Sequence, residues 1–246
     1  MLYKSIFVLL LLFSFCSAQL TTQQIIQKID ANEQVESSEG EMQQIITTTD
    51  GSERTLTMKM YTKDRNDKQL SIYTDPVRVK GDKILMLDDG NEIWFYTPKT
   101  DRVRHLASHA RRQKVQGSDF SYEDMASGNL QKKFASTLKG EEEIDGRTCY
   151  KLELIPNEHG PSYQKLELWA DKERFVTLRI DYYDENGLSK RLLLTDIKNI
   201  DGYWYAMTMT MQNLIEGGKT VIKTLDINFK TNPPEKLFST NYLKVN

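Results

Sequence analysis

The 246-residue sequence contains only two cysteines, and beyond its first residues it has no long apolar run. Cys16 lies in the N-terminal segment, so a chain that loses this segment keeps Cys149 alone and can form no intramolecular disulfide. Stability must then come from core burial, where Cys149 is expected as a small buried hydrophobe. No later stretch approaches the roughly 20 apolar residues of a membrane-spanning helix, so an integral membrane protein is not expected.

Strong charge imbalance and catalytic motifs are also lacking. The formal net charge of −2 argues against general nucleic-acid binding. The chain has no Gly-x-Ser-x-Gly elbow, phosphate-binding loop or dinucleotide fingerprint. His105 and His109 are four residues apart, but Leu106 stands where a zinc hydrolase needs glutamate. We therefore expect no enzyme, no metal site and no cofactor, and an unrecognised hydrolase is the least favoured hypothesis.

The N-terminus has the features of a cleavable secretory signal. Lys4 precedes an apolar run over 6–13, and small residues up to Ala18 precede Gln19. We expect residues 1–18 to be removed, leaving a soluble, periplasmic protein. Residues 19–246 should form a single domain, because no linker, repeat or low-complexity tract divides them. A lipid on Cys16 is the alternative, although Phe15 is bulky for a bacterial lipoprotein signal.

Alternation of apolar and polar residues dominates the mature chain and predicts about ten strands joined by tight turns. A short helix capped by Thr21 or Thr22 precedes them, followed by a polar break over 36–40. Turn signals stand at 50–51, 145–146, 186–187 and 201–202. The strand over 174–183 should offer one set of apolar residues: Val176, Leu178, Ile180 and Tyr182.

Tight turns favour antiparallel, up-and-down order, because parallel pairing needs long crossovers. A flat sheet of this width would curl. Helices are scarce, so the economical arrangement is a strongly curved sheet with a few helices on its concave side. The predicted class is mainly β (α+β).

The stretch from Ile84 to Met125 carries the most specific pattern. It runs through a strand, a turn, Ile-Trp-Phe-Tyr-x-Pro, Arg-x-Arg, Arg-Arg-Gln and Gly-Ser-Asp-Phe-Ser-Tyr-Glu-Asp. This order resembles the LolA-like outer-membrane lipoprotein-sorting family, in the branch associated with RND/MMPL-type export permeases. The resemblance implies a half-open barrel with a helical lid, acyl chains of a lipid or lipoprotein as ligands, and an inner-membrane permease as a partner.

Methionines on two predicted strands are candidates for the lipid-binding face. Met adapts to irregular apolar partners better than branched side chains do, although alternate apolar residues often form only a core. Because many apolar strand faces meet few helices, part of the concave face is expected to stay open to a ligand. The candidates are Leu56, Met58, Met60, Tyr205, Met207, Met209 and Met211.

The basic segment after the Trp94 strand is a candidate docking or gating region. Its members are Arg102, Arg104, Arg111, Arg112, Asp119, Phe120 and Tyr122. Two alternatives exist for the arginines at 111 and 112: ion pairs with Asp119 and Asp124, or a cationic patch for lipid head groups or an acidic partner. Ser121 should cap a helix whose Asp124 reaches back to it.

These observations favour a periplasmic carrier that holds acyl chains in an apolar cleft and delivers them towards the outer membrane. The carrier role depends chiefly on the resemblance. A non-enzymatic sensor or regulatory module, binding lipid or a protein partner with the same fold, is the alternative.

Overall fold

The computed structural model describes residues 19–126, 128–158 and 160–245, so the predicted signal at 1–18 lies outside the described residues. An N-terminal helix precedes a single antiparallel sheet of 13 strands. The α-helices are α1 (Thr22–Glu33), α2 (Tyr122–Met125) and α3 (Leu130–Lys133). Short 3-10 helices lie at Ser108–Arg112, Val115–Gly117, Glu235–Phe238 and Tyr242–Lys244. The first six strands are β1 (Ser37–Thr47), β2 (Glu53–Lys63), β3 (Lys68–Asp75), β4 (Lys83–Leu87), β5 (Glu92–Thr97) and β6 (Arg102–His105). The others are β7 (Phe134–Ile144), β8 (Arg147–Pro156), β9 (Lys165–Asp171), β10 (Thr177–Asp184), β11 (Gly187–Ile200), β12 (Tyr203–Asn213) and β13 (Lys219–Asn228).

Strand order divides the sheet into two wings. The order is β6-β5-β4-β3-β2-β1-β13-β12-β11-β10-β9-β8-β7, so the first and last strands pair at the centre. We call β1–β6 the N-wing and β7–β13 the C-wing. The segment 106–133 connects the two edge strands. The sheet is open and curved, which confirms the predicted mainly β, LolA-like architecture.

Helix α1 forms as its sequence predicts. Thr21 Oγ1 accepts from the Gln24 backbone N–H, and Gln24 Oε1 accepts from the Thr21 N–H, so two otherwise unsatisfied donors are bonded. Ile25, Ile26 and Ile29 are at most 2% exposed and pack into the main core on the concave face. The apolar stripe therefore fixes the helix against the sheet.

Two apolar clusters lie on opposite faces of the N-wing. In β4, Ile84 and Met86 belong to the main core, whereas Leu85 between them belongs to a second cluster. The second cluster is covered by Leu237 and Phe238 from the C-terminal tail (residues 233–245). Because side chains alternate along a strand, the tail lies on the convex face.

The polar break predicted over 36–40 is wrong, because β1 begins at Ser37. Its polar groups find partners in the sheet: the Ser38 and Thr62 hydroxyls are 2.9 Å apart, and Ser37 Oγ donates to the Thr231 carbonyl. A Cβ on Gly40 would lie 2.5 Å from the Asp226 carbonyl oxygen. The glycine is therefore required by close backbone approach within a strand.

The single apolar set predicted over 174–183 is divided in the structure. The register shifts between Thr177 and Arg179, which is the signature of a bulge. As a result Val176 and Leu178 pack with Cys149 and Trp169, while Ile180 and Tyr182 lie in the main core. The buried environment predicted for Cys149 is confirmed, and this burial raises the pKa of its thiol to about 11.

Candidate functional site: an apolar cavity on the concave face

A cavity of about 470 Å³ lies on the concave face, within the usual size range of small-molecule sites. It extends along the end of α1, the stretches 120–126 and 128–134, and residues 158 and 160–163. Apolar side chains from both wings contribute most of its wall. They include Val35, Met42, Met58, Met60, Phe120, Met125, Leu130, Phe134, Leu166, Leu168, Ile180, Leu192, Leu194, Met209 and Ile222.

The predicted lipid-binding residues are distributed between the cavity wall and the solid core. Met58, Met60, Tyr205 and Met209 line the cavity. Leu56 and Met211 are 0% exposed and pack in the main core, and they are not among the lining residues of the described chain. Met207 is half-buried and also absent from that lining.

Sequence reasoning missed the contribution of β9–β11 and of the end of α1. Leu166, Leu168 and Leu192 line the cavity, although none of them is among the predicted lipid-binding residues. Asn32 and Glu33 also line it, although their positions at the helix end gave no functional signal. The available signal was that the C-wing offers many apolar faces for very few helices.

The region 117–126 forms one wall, and its acids have structural partners. Ser121 and Asp124 make the predicted capping box, with Asp124 Oδ2 accepting from the Ser121 N–H at 2.7 Å. The same carboxylate pairs with Lys190 Nζ at 2.8 Å and accepts from the Tyr163 hydroxyl at 2.7 Å. These bonds fix the wall to β11 and to Tyr163.

Asp119 anchors the next part of the segment to the sheet. The Thr220 hydroxyl donates to its Oδ2 at 2.7 Å, and the Asp119 N–H donates to Thr220 Oγ1 at 2.9 Å. Phe120 is 4% exposed and lines the cavity, whereas Tyr122 is 8% exposed and belongs to the core beside it. Both predicted aromatic residues thus face inward.

The four arginines of the basic segment and the neighbouring Lys114 take different positions. Arg102 and Arg112 are exposed, and the Arg104 guanidinium lies 5.5 Å from the centre of the Phe95 ring. Lys114 pairs with Glu216 at 2.5 Å. Arg111 donates through Nη2 to the Asn91 carbonyl and lines the cavity.

The two alternatives for Arg111 and Arg112 can be compared with this geometry. Within the described residues neither arginine pairs with Asp119 or Asp124, whose partners are Thr220 and Lys190. The two arginines also differ, because one faces the cavity and the other faces solvent. Their function in docking or gating stays a prediction.

The β4–β5 turn contacts the segment between β6 and β7. Asp89 accepts from Lys132 Nζ at 2.7 Å through its side chain and from Lys133 Nζ at 2.9 Å through its backbone carbonyl. Gly90 adopts φ +83°, and a Cβ there would lie 2.3 Å from the Ala126 Cβ. Only glycine therefore lets this turn approach Ala126 so closely.

Two carboxyl groups in the cavity wall are held in poorly solvated positions. Burial raises the pKa of Glu33 to about 7, although the Thr177 hydroxyl donates to its Oε1 at 2.7 Å. Burial also raises the pKa of Glu123, whose Oε2 accepts from the Ser162 N–H at 3.1 Å. Both groups are thereby biased towards their neutral form.

No cluster of three or more His, Cys, Asp or Glu side chains suited to a metal occurs in the part of the chain that the structure describes. His105 ends β6, where its Nε2 lies 2.7 Å from Glu92, and His109 lies in the following 3-10 helix. The two histidines therefore do not share one helix face. Among the described residues, no helix is long and apolar enough to cross a membrane.

A family model described as "Uncharacterized protein" matches residues 65–245, which is more than half of the chain. The chain belongs to that family. An uncharacterized protein of Methanocaldococcus jannaschii is 24% identical over 169 residues, which are 69% of this chain and 46% of that protein. The chain thus spans about half the length of this curated relative.

Three solved structures have the same architecture. A candidate outer membrane lipoprotein-sorting protein domain from Vibrio parahaemolyticus has a TM-score of 0.83 and 29% identity, covering 89% of this chain and 97% of its own. A DUF1329 family protein from Desulfovibrio piger has a TM-score of 0.82 and 26% identity, covering 89% and 96%. A LolA superfamily protein from Nitrosomonas europaea has a TM-score of 0.77 and 24% identity, covering 91% and 100%.

These likenesses confirm the resemblance that the segment from Ile84 to Met125 predicted. The protein has the LolA-like fold. The association with RND/MMPL-type permeases stays a prediction.

Proposed function

We propose that this protein is a periplasmic carrier that binds acyl chains of a lipoprotein or another lipid and delivers them towards the outer membrane. The observation that carries the proposal is the apolar, methionine-rich cavity of about 470 Å³ on the concave face. In this proposal residues 1–18 are a cleaved signal, residues 19–246 act as one domain, and the protein shields its cargo without catalysis. An inner-membrane permease of the RND/MMPL type is the proposed donor.

The size of the cavity makes acyl binding energetically reasonable. Each methylene moved from water into an apolar site contributes about 0.8 kcal/mol, so roughly ten methylenes would contribute roughly 8 kcal/mol before the costs of association. Met58, Met60 and Met209 can adjust their rotamers to a flexible chain, since methionine has three rotatable bonds. A cavity of this kind suits ligands that vary in length and saturation.

The first experiment is organic extraction of the mature protein purified from its native host, followed by mass spectrometry. Co-purified acyl chains in near-stoichiometric amount are expected. An empty protein recovered in a stable complex with another protein would favour the sensor or regulatory module instead.

A matched pair of variants tests the cavity itself. Met209→Asp places a charge in the cavity wall and should abolish retention of an acyl-chain fluorophore, because an unpaired buried charge is costly. Met207→Asp, on the same strand but outside the described lining, should retain binding. Met60→Trp narrows the cavity without adding charge and covers the case in which Met209→Asp fails to fold. Equal binding by Met60→Trp and wild type would contradict the carrier proposal.

A further inference from the structure

Arg111 combines two features that no other described residue combines: it lines the cavity, and it has a buried donor without an acceptor. Its Nε is shielded from solvent and has no hydrogen-bond partner. Gln44, Arg54 and Tyr73 also have buried polar atoms without partners, but they lie outside the described cavity lining. A buried donor normally has a partner, since leaving it unpaired costs free energy.

A backbone carbonyl holds the Arg111 guanidinium in position. Its Nη2 donates to the carbonyl of Asn91, and both residues line the cavity. The guanidinium is planar and its donors have a fixed fork geometry, so holding one nitrogen restricts the direction of Nε. The Arg111 side chain is therefore held in place at the cavity wall rather than moving freely.

The charge of Arg111 is also unbalanced locally. Within the described chain Arg111 forms no ion pair, because its one hydrogen-bond acceptor is the neutral Asn91 carbonyl. Lys133, the other cation of the described lining, donates to the Ala126 carbonyl at 2.6 Å and to the Asp89 carbonyl at 2.9 Å. Arg111 has one acceptor in the described chain for its five N–H groups, whereas Lys133 has two acceptors for its three, so Arg111 has the greater donor capacity left for a ligand.

Most acids in the described wall have a feature that weakens their repulsion of an anion, and the remaining one, Glu158, is exposed to solvent. Asp89 is paired with Lys132 at 2.7 Å, and Asp124 is paired with Lys190 at 2.8 Å. Burial raises the pKa of Glu33 and of Glu123, which weakens the negative charge that these groups would add to the cavity.

We propose that Arg111 is the polar anchor of the cavity and binds the anionic oxygen of an acyl ligand's head group, a carboxylate or a phosphate. Arg112, its exposed neighbour, has no part in this contact. The inference rests on the proposed carrier function and adds a ligand class to it, namely acyl chains that end in an anion. Charge-assisted bonds from a guanidinium to carboxylate or phosphate are among the stronger hydrogen bonds in proteins, which gives the anchor its selectivity.

The test uses the full mature chain and three ligands with the same 16-carbon chain: hexadecanoate, hexadecyl phosphate and 1-hexadecanol. Each displaces an acyl fluorophore below its aggregation concentration. Wild type should bind at least one anion about tenfold more tightly than the alcohol. Whether hexadecanoate or hexadecyl phosphate shows the preference separates a carboxylate from a phosphate head group.

Arg111→Met should reduce this preference to about threefold or less while leaving affinity for the alcohol unchanged, and Arg112→Met should retain it. Arg111→Lys, which keeps the charge, should retain part of it and serves if Arg111→Met melts early. Equal wild-type binding of anion and alcohol, or equal effects of Arg111→Met and Arg112→Met, would overturn the anchor and leave the carrier function standing. Failure of all three ligands to bind wild type would overturn both.

Discussion

The convex faces of the two wings differ in what covers them. On the N-wing this face is apolar: Leu70, Leu85 and Tyr96 pack against the C-terminal tail. On the C-wing it combines a small apolar cluster around Cys149 and Trp169 with cross-strand ion pairs such as Lys139–Glu153 at 3.1 Å and Lys151–Glu142 at 2.8 Å. The convex faces of the two wings are therefore covered in different ways, although both belong to one curved sheet.

The difference follows from the strands themselves. In β4 four consecutive residues from Lys83 to Met86 are buried, so both faces of that strand need a cover. In β8 and β9 the outer face carries charges such as Lys151 and Glu167, which need only water and one another, beside the buried Cys149 and Trp169. Trp169 packs against Cys149, Val176 and Leu178 within the sheet. Arg179 and Lys151 cover its ring, 4.3 Å and 5.0 Å from the ring centre.

The tail is attached by hydrogen bonds as well as by apolar contacts. Lys83 Nζ donates to the carbonyls of Tyr242, Leu243 and Val245. Its ammonium also lies 5.1 Å from the centre of the Tyr242 ring. The tail is therefore a structural part of the N-wing, although it follows the last strand of the C-wing.

The largest expected effect comes from uncovering the N-wing. Phe238→Ala should lower the free energy of unfolding by about 3 kcal/mol, because Phe238 is 6% exposed and its removal leaves a cavity under the tail. Urea unfolding measures the loss. Leu225→Ala on the C-wing is the control, since Leu225 is 50% exposed and should change stability by less than about 0.5 kcal/mol. Equal losses would show that the tail does not stabilise the N-wing.

An intermediate loss of folding stability is expected on the C-wing, where one charged side chain is buried. The Asp181 side chain is 2% exposed and accepts from Arg191 Nε at 2.7 Å and from Arg179 Nε at 2.9 Å. Burial alone would raise the pKa of Asp181, but the bonds from Arg191 and Arg179 outweigh it and hold the pKa below 3.8. Asp181→Asn should cost about 2 kcal/mol at pH 7, less than a fully buried pair because both arginines keep partial exposure.

The lowered pKa gives this loss a defined pH dependence. A carboxyl with a lowered pKa stabilises the fold above its unfolded value, and that contribution disappears as the pH falls through the folded value. The difference between wild type and Asp181→Asn should therefore shrink below pH 3.8. Asp196→Asn, which breaks an exposed pair with Lys198, should cost no more than about 0.5 kcal/mol at any pH. A pH-independent loss in Asp181→Asn would contradict the ion-pair explanation.

The sequence predicts the strands of the two wings better than it predicts the segments that pack on their convex faces. Alternation in β2 and β8 is local, so Leu56, Met58, Leu152 and Leu154 could be assigned to a buried face from spacing alone. The convex cluster could not be predicted, because residues 233–245 show no periodic pattern that pairs them with β4.

Long-range contacts explain the other structural features that the sequence did not predict. The buried state of Lys83 depends on three carbonyls about 160 residues away, and that of Glu33 on Thr177, 144 residues away. The bulge in β10 depends on its register with β9, which composition does not encode. The candidate site was thus predictable as an apolar concavity, but its polar members were not.

The smallest expected effect concerns Glu33, and its pH dependence should have the opposite sign to that of Asp181. Burial raises the pKa of Glu33 from 4.5 to about 7, so the folded state binds this proton more tightly than the unfolded state does. The loss of folding stability caused by ionising the buried Glu33 is absent below pH 4.5, grows as the pH rises, and is complete above pH 7. Each tenfold difference in proton affinity between the two states corresponds to about 1.4 kcal/mol, and partial exposure of the side chain reduces the effect.

Glu33→Gln should therefore stabilise the protein by about 1–2 kcal/mol at pH 8 and by almost nothing at pH 4, as measured by urea unfolding. Glu143→Gln on the exposed edge strand should differ from wild type by less than about 0.5 kcal/mol at both values. If Glu33→Gln instead destabilised the protein equally at pH 4 and pH 8, Glu33 would be acting only through its bond to Thr177, and the cavity wall would not be the poorly solvated environment that an acyl ligand requires.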